Sequence, residues 1–220
     1  MASFFNLTLD TLAPEGLSIA LNDGAEYTTS ASVSLKITLT DPQTTGYQMK
    51  IWGINSAENE ENASWETYTA SKSITLIAGD GQKTVYVKVR DDVGNETSAV
   101  SDTIILDTQV PSVSITGPDK SKISKVPTFN ESRFSFTSDV DFEEYKVCVV
   151  PQSTSTQDAG QVIPTTAGST NTSGSAGDYP SSTPIQVMIN GTDLETVSGG
   201  DGVKIIKVFV RTAAGTWSVA

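Results

Sequence analysis

The chain has no histidine and a single cysteine, Cys148, among 220 residues. The first absence removes the commonest general base and the commonest metal ligand together. The second excludes any intrachain disulfide. Cys148 lies in the apolar run YKVCVV, so it reads as core filling rather than as a nucleophile. Positive charge is also scarce. Lys and Arg number 14 against 26 Asp and Glu, a formal net charge of −12. Nucleic-acid phosphates and anionic membrane surfaces both need basic partners, so neither is an expected ligand. No stretch is apolar enough to cross a membrane, and the N-terminus, MASFFN, lacks the basic flank and apolar run of a signal peptide. Either the chain stays in the cytoplasm of the cell that makes it, or it leaves by lysis or by a dedicated route.

Leucine is sparse, whereas Gly, Ser and Thr are plentiful, which favours short strands and turns over helices. Self-similarity is the strongest signal. GDGQKTVYVKVRDDVG, residues 79–94, returns 121 residues later as GDGVKIIKVFVRTAAG, residues 200–215. In each copy Gly-Asp-Gly supplies a tight turn. Val85, Val87 and Val89 then alternate with polar residues, as Ile206, Val208 and Val210 do in the second copy. That is the period of a half-buried strand. VSLKITL places Val33, Leu35, Ile37 and Leu39 on one face, and RFSFT does so with Phe134 and Phe136. YQMKIW and YKVCVV read as equivalent strands if Tyr47 answers Tyr145.

Leu-Asp-Thr-x-x-Pro also occurs twice, from Leu9 and 97 residues later from Leu106. The offset therefore grows along the chain, which predicts an insertion in the second unit. Residues 151–183, rich in Ser, Thr, Gly and Pro, read as a long and mobile surface loop. The expected organisation is an arm or strand over 1–10, one domain over 11–107 and a second over 108–220 carrying that insertion, joined by a short linker. The fold class is all-β, with two tandem sandwiches.

The order GAEYTTSASVSLKITLTD, GYQMKIW and GDGQKTVYVKVRDDVGNETSAVSDTIILDTQVP resembles the immunoglobulin-like domains of bacterial surface adhesins and tailed-bacteriophage virion proteins. Residues 14–107 carry the resemblance well, and 111–220 carry it chiefly through DGVKIIKVFVRTAAGTWS. It implies two immunoglobulin-like β-sandwiches of seven strands, a structural or adhesive role and no catalytic residues. Trp52 and Trp65 become core or near-core aromatics. Adhesins of this kind carry a signal peptide and virion proteins need none. The expectation is thus a structural or accessory protein on the exterior of a phage particle, as head decoration or as a tail or baseplate component. A cell-surface adhesin or spacer and a carbohydrate-binding module are the alternatives. Partners would be other virion proteins, copies of the chain itself or host surface glycans.

Candidate sites are few. Residues 3–9, SFFNLTL, sit where the last strand of a preceding unit would lie, while the second unit stops at GTWSVA with its last strand barely begun. Three readings follow: a simple arm beside a shortened strand, a piece of a longer array, or strand addition to an open sheet edge. The last makes Phe4, Phe5, Leu7 and Leu9 the assembly residues. Asp91 and Asp92, with Asp10 or Asp107 approaching, are weak candidates for calcium. A polar turn explains them better, since Thr212 and Ala213 replace both acids in the second copy. No cofactor is expected. Tyr179, the only aromatic in 151–183, is the candidate contact for a glycan or partner. DFEEY, residues 141–145, and SKIS, residues 121–124, suggest no catalytic pair. Sequons such as Asn95-Glu96-Thr97 carry little meaning in so Thr-rich a chain.

Overall fold

A computed structural model describes residues 5–41, 44–151 and 153–219. The chain forms two compact units, Met1–Thr108 and Gln109–Ala220. Among the described residues it is all-β apart from one seven-residue helix and short 3-10 turns. Among the described residues no helix is long and apolar enough to cross a membrane.

In the first unit the strands are β1 (Ser18–Leu21), β2 (Tyr27–Thr28), β3 (Ser32–Thr38), β4 (Gln48–Trp52), β5 (Trp65–Thr67), β6 (Ser71–Thr75), β7 (Gly81–Arg90) and β8 (Val100–Leu106). They form a sheet β1-β3-β6 and a sheet β2-β8-β7-β4-β5, with β2 parallel to β8. Alternation decides which residues meet. On β3, Val33, Leu35 and Ile37 are buried while the residues between them face water. They join Leu21 and Ile74 from their own sheet with Met49, Ile51, Val85, Val87, Val89, Ile104 and Leu106 from the other. One apolar layer between two sheets is therefore the core, the plan of a β-sandwich.

The second unit contains β9 (Val113–Thr116), β10 (Glu131–Ser138), β11 (Glu144–Val150), β12 (Gln161–Val162), β13 (Ser173–Gly174), β14 (Ile185–Asn190), α1 (Gly191–Val197) and β15 (Ile205–Arg211). One sheet runs β14-β10-β9. In the other, β11 pairs with β15 along one edge and with β12 and β13 along the opposite edge. Phe134, Phe136, Val187 and Ile189 meet Tyr145, Val147, Val208 and Val210 between the sheets.

The strand registers show where the two units correspond. Met49 stands opposite Val89, and Tyr145 stands opposite Val210. Met49, not Tyr47, is thus the counterpart of Tyr145. Matching the tyrosines misplaced the strand by two residues, a shift that preserves alternation and leaves no trace in the hydrophobic pattern.

Residues 151–183 differ from the expected open loop. β12 and β13 return to β11, Thr170 bridges Met188 and Phe142 bridges Tyr179. Ile163 is fully buried in the core. Gly160 lies against Val150 and Cys148 so closely that any Cβ there would clash. The segment thereby covers the outer face of β11 and β15, where Cys148, Val150 and Phe209 form a small second core. The segment buries Ile163 together with the small polar residues Thr154, Ser169 and Thr172, so it has the composition of a loop and the contacts of a third layer.

Candidate functional site

Asp91 directly follows β7 and is buried. Its carboxylate accepts from the backbone N–H of Val93 (3.0 Å) and Asn95 (2.8 Å) and from the Asn95 side-chain amide (2.8 Å). Burial pushes its pKa up, but these donors outweigh it and hold the carboxyl below the usual range. Asp91 is therefore the acceptor that closes its own turn. Asp92 is exposed, and the Asp107 N–H donates to the Thr28 carbonyl. Among the described residues no group of three potential metal ligands comes together. Thr212 occupies the equivalent place in the second unit. Its hydroxyl accepts from the Thr216 N–H, and its own N–H bonds the Thr216 carbonyl as that of Asp91 bonds Asn95. Replacement of Asp91 by alanine removes the acceptor of three partly buried hydrogen bonds and is expected to cost the first unit about 2 kcal/mol, read by denaturant unfolding.

The repeated arginines close equivalent cages. Arg90 Nε donates to Gln48 (2.8 Å) and the guanidinium lies 4.3 Å from the Trp65 ring centre. Arg211 Nε donates to Glu144 (2.9 Å), with the Trp217 ring 6.0 Å away and also 4.5 Å from Lys146 Nζ. The aromatic wall comes from β5 in one unit and from the turn after β15 in the other. Trp65 is half-buried, whereas Trp52 is buried and stacks on Tyr86 at 5.4 Å.

Tyr179 is not the free aromatic platform expected of it. Its ring stacks on Phe142 at 5.0 Å and meets Tyr145 edge-on at 5.2 Å. Gly177 packs directly against it, and its backbone exchanges two hydrogen bonds with Phe142. A residue that pins the 151–183 segment to the core presents little ring for stacking on a sugar. Cys148 is fully buried, and burial pushes its thiol up to about 11. That leaves it protonated and unreactive at neutral pH.

Asp193 escaped the sequence reading altogether. It is fully buried near the start of α1 and accepts from the Thr166 hydroxyl (2.8 Å) and the backbone N–H of Ala167 (2.7 Å) and Ser169 (2.9 Å). The signal available was Asn190-Gly-Thr-Asp, an N-cap followed by an acid in the first turn. The Asn190 side chain does accept from the Thr192 N–H at 2.9 Å.

The sequence-predicted assembly residues stand apart from this framework. Phe5, Leu7 and Leu9 are 85–86% exposed. Phe4 lies outside the described residues. In the second unit an open cavity of about 980 Å³ lies beside β15, lined by Ile115, Phe134, Ile189, Leu194, Lys204 and Ile206 among others.

No protein-family model matches the chain, and no curated protein sequence matches it. Solved structures do. It is similar to the fibronectin(III)-like modules of Clostridium thermocellum CbhA, at 12% identity over 91% of this chain and 89% of that one, with a TM-score of 0.47. It is similar to the FN1-FN3 domains of chicken CNTN1 at 12% identity and a TM-score of 0.43, covering 94% of this chain and 63% of that one. The D00-D0 domain of intimin is 14% identical, with 93% and 95% covered and a TM-score of 0.32.

Among the described residues the one thiol is buried and protonated, and the two buried carboxylates, Asp91 and Asp193, are bound to backbone amides.

Proposed function

We propose that the chain is a spacer and adhesion module of a bacterial cell surface, built from tandem immunoglobulin-like sandwiches. One observation carries this reading: what recurs 121 residues apart is framework. Arg90 and Arg211 tie the end of one strand to the start of its neighbour. Thr97 and Ser218 make the same return, donating from their N–H to the carbonyls of Val89 and Val210 and accepting from those residues' N–H. A chain that duplicates its backbone supports while varying the surface between them is organised for length and presentation.

Placement on the exterior of a phage particle is the second reading, favoured by the apolar strand-like segment 5–9, which belongs to neither sheet of its own unit. Its partners there would be other virion proteins or further copies. Gold-labelled antiserum against the purified chain separates the two placements. Label along the envelope of intact producing cells is the expected result. Label confined to released particles would transfer the protein to the virion.

A further inference from the structure

In the first unit β8 borders β7 and carries β2 on its other side. Its register sets Leu106 opposite Gly81, Ile104 opposite Lys83 and Asp102 opposite Val85. Ile104 and Leu106 are buried. Just beyond, Asp80 accepts from both the N–H (3.0 Å) and the hydroxyl (2.8 Å) of Thr108. In the second unit β15 pairs with β11 on one side. On the other, among the described residues, it has only the Arg211–Trp217 bridge and the Ser218 return at Val210. β7 spans ten residues and β15 seven. The difference is Gly202–Lys204, the counterparts of Gly81–Lys83. Those three residues of β7 pair with β8 alone, since β4 reaches only Tyr86–Arg90. Among the described residues no strand borders Gly202–Lys204, and the three are not part of β15. Val203 is 91% exposed, and the cavity opens beside the segment.

Residues 5–9 match what is wanted there. The 97-residue repeat sets Leu9 on Leu106, Leu7 on Ile104 and Thr11 on Thr108. Carried across by 121 residues, the β7–β8 register puts Leu9 opposite Gly202, Leu7 opposite Lys204 and Phe5 opposite Ile206. These three acceptor residues all line the cavity. The same transfer brings the exposed Thr11 to the exposed Asp201, the counterpart of Asp80.

We propose that residues 5–9 of one copy add antiparallel to β15 of a second copy, with Phe5, Leu7 and Leu9 filling the cavity and Asp201 receiving Thr11. Apolar side chains leave water, and an edge gains a ladder. Because donor and acceptor are different surfaces, association runs head to tail. The proposal deepens the structural-module reading and rests on it only for setting, because the pairing is measured in solution.

The test uses the purified chain. Sedimentation velocity should show oligomers growing with concentration. Leu7→Asp with Leu9→Asp, both at exposed positions, should weaken association on the order of a hundredfold or more. A peptide of residues 5–11 added to that variant should slow amide exchange across 202–208, whereas a scrambled peptide should not. A Thr11→Cys chain mixed with an Asp201→Cys chain should form a disulfide-linked heterodimer. A wild-type chain that stays monomeric, an Asp variant that associates as well as wild type, or unchanged exchange at 202–208 overturns the proposal. A Thr11→Cys, Asp201→Cys double variant that closes only within single chains does so too. Monomers found on labelled cells would end the exchange and spare the surface reading. Oligomers absent from the cell surface would do the reverse.

Discussion

Replacing Phe136 by alanine should lower the stability of the second unit by about 4 kcal/mol while the first unit melts where it did before. Phe136 is 1% exposed at the centre of β10, with β9 on one side and β14 on the other. Its ring lies 5.2 Å from that of Tyr145 and 6.3 Å from that of Phe142. These rings, with Tyr179 behind them, form the aromatic floor on which both sheets rest. Truncation removes the transfer free energy of the ring and leaves a hole that a four-ring cluster cannot close by small shifts. These contacts lie within the second unit, whereas the main core cluster of the first is aliphatic apart from Met49 and the partly buried Tyr47 and Tyr68 at its margin. Differential scanning calorimetry should therefore show one transition moving and one staying. Equal movement of both would mean that the two units unfold as a single cooperative block.

Asp193→Asn should cost the second unit about 3 kcal/mol, and the damage should be greatest at residues 166–170. Two carboxylate oxygens receive three donors in a site closed to water. An amide keeps one acceptor oxygen and points an N–H₂ group at hydrogens already there. The effect should also depend on pH. Burial raises the pKa of Asp193, but its hydrogen bonds overcome that and hold it below the ordinary value. A group depressed on folding contributes stability that is full above its unfolded pKa of about 3.9 and is lost as pH falls through the folded value. Wild type should thus lose stability in the second unit below about pH 4. The Asn variant, weaker at neutrality, should fall less steeply there. Urea titrations at neutral and acid pH, with amide exchange to locate the opening, read both effects. Parallel acid slopes in the two proteins would remove Asp193 from the explanation.

Much of this architecture was legible because strands with one wet face announce themselves. Val85, Val87 and Val89 alternate cleanly, and their counterparts at 206, 208 and 210 repeat the pattern, so both the strands and the duplication follow from period alone. The 121-residue offset locates even the turn that follows, since Thr97 and Ser218 make the same two hydrogen bonds. Tyr47 and Tyr145 misled because a two-residue slip leaves the buried face unchanged, and only the pairing with β7 and β15 decides. The 151–183 segment misled for a different reason. Ser169 and Thr172 are buried with their hydrogen bonds made, and such polar burial has no periodic signature. Tyr179 was picked out as the only aromatic in a polar stretch. That same isolation is what an anchor needs, because one ring suffices to fasten a returning loop. Asp193 was invisible because its three donors lie 24 to 27 residues upstream, a separation that no local pattern encodes.

The sealed sulfur on β11 gives the molecule a clock of its own. Cys148 is the sole thiol in the sequence and sits under Gly160, in the half that carries the extra layer. A probe such as a disulfide dye can reach it only after that layer lifts or its half opens, so the labelling rate counts those openings and ignores the other half entirely. Experimenters thus inherit a chronometer for one member of the pair, with no foreign label and no engineered residue.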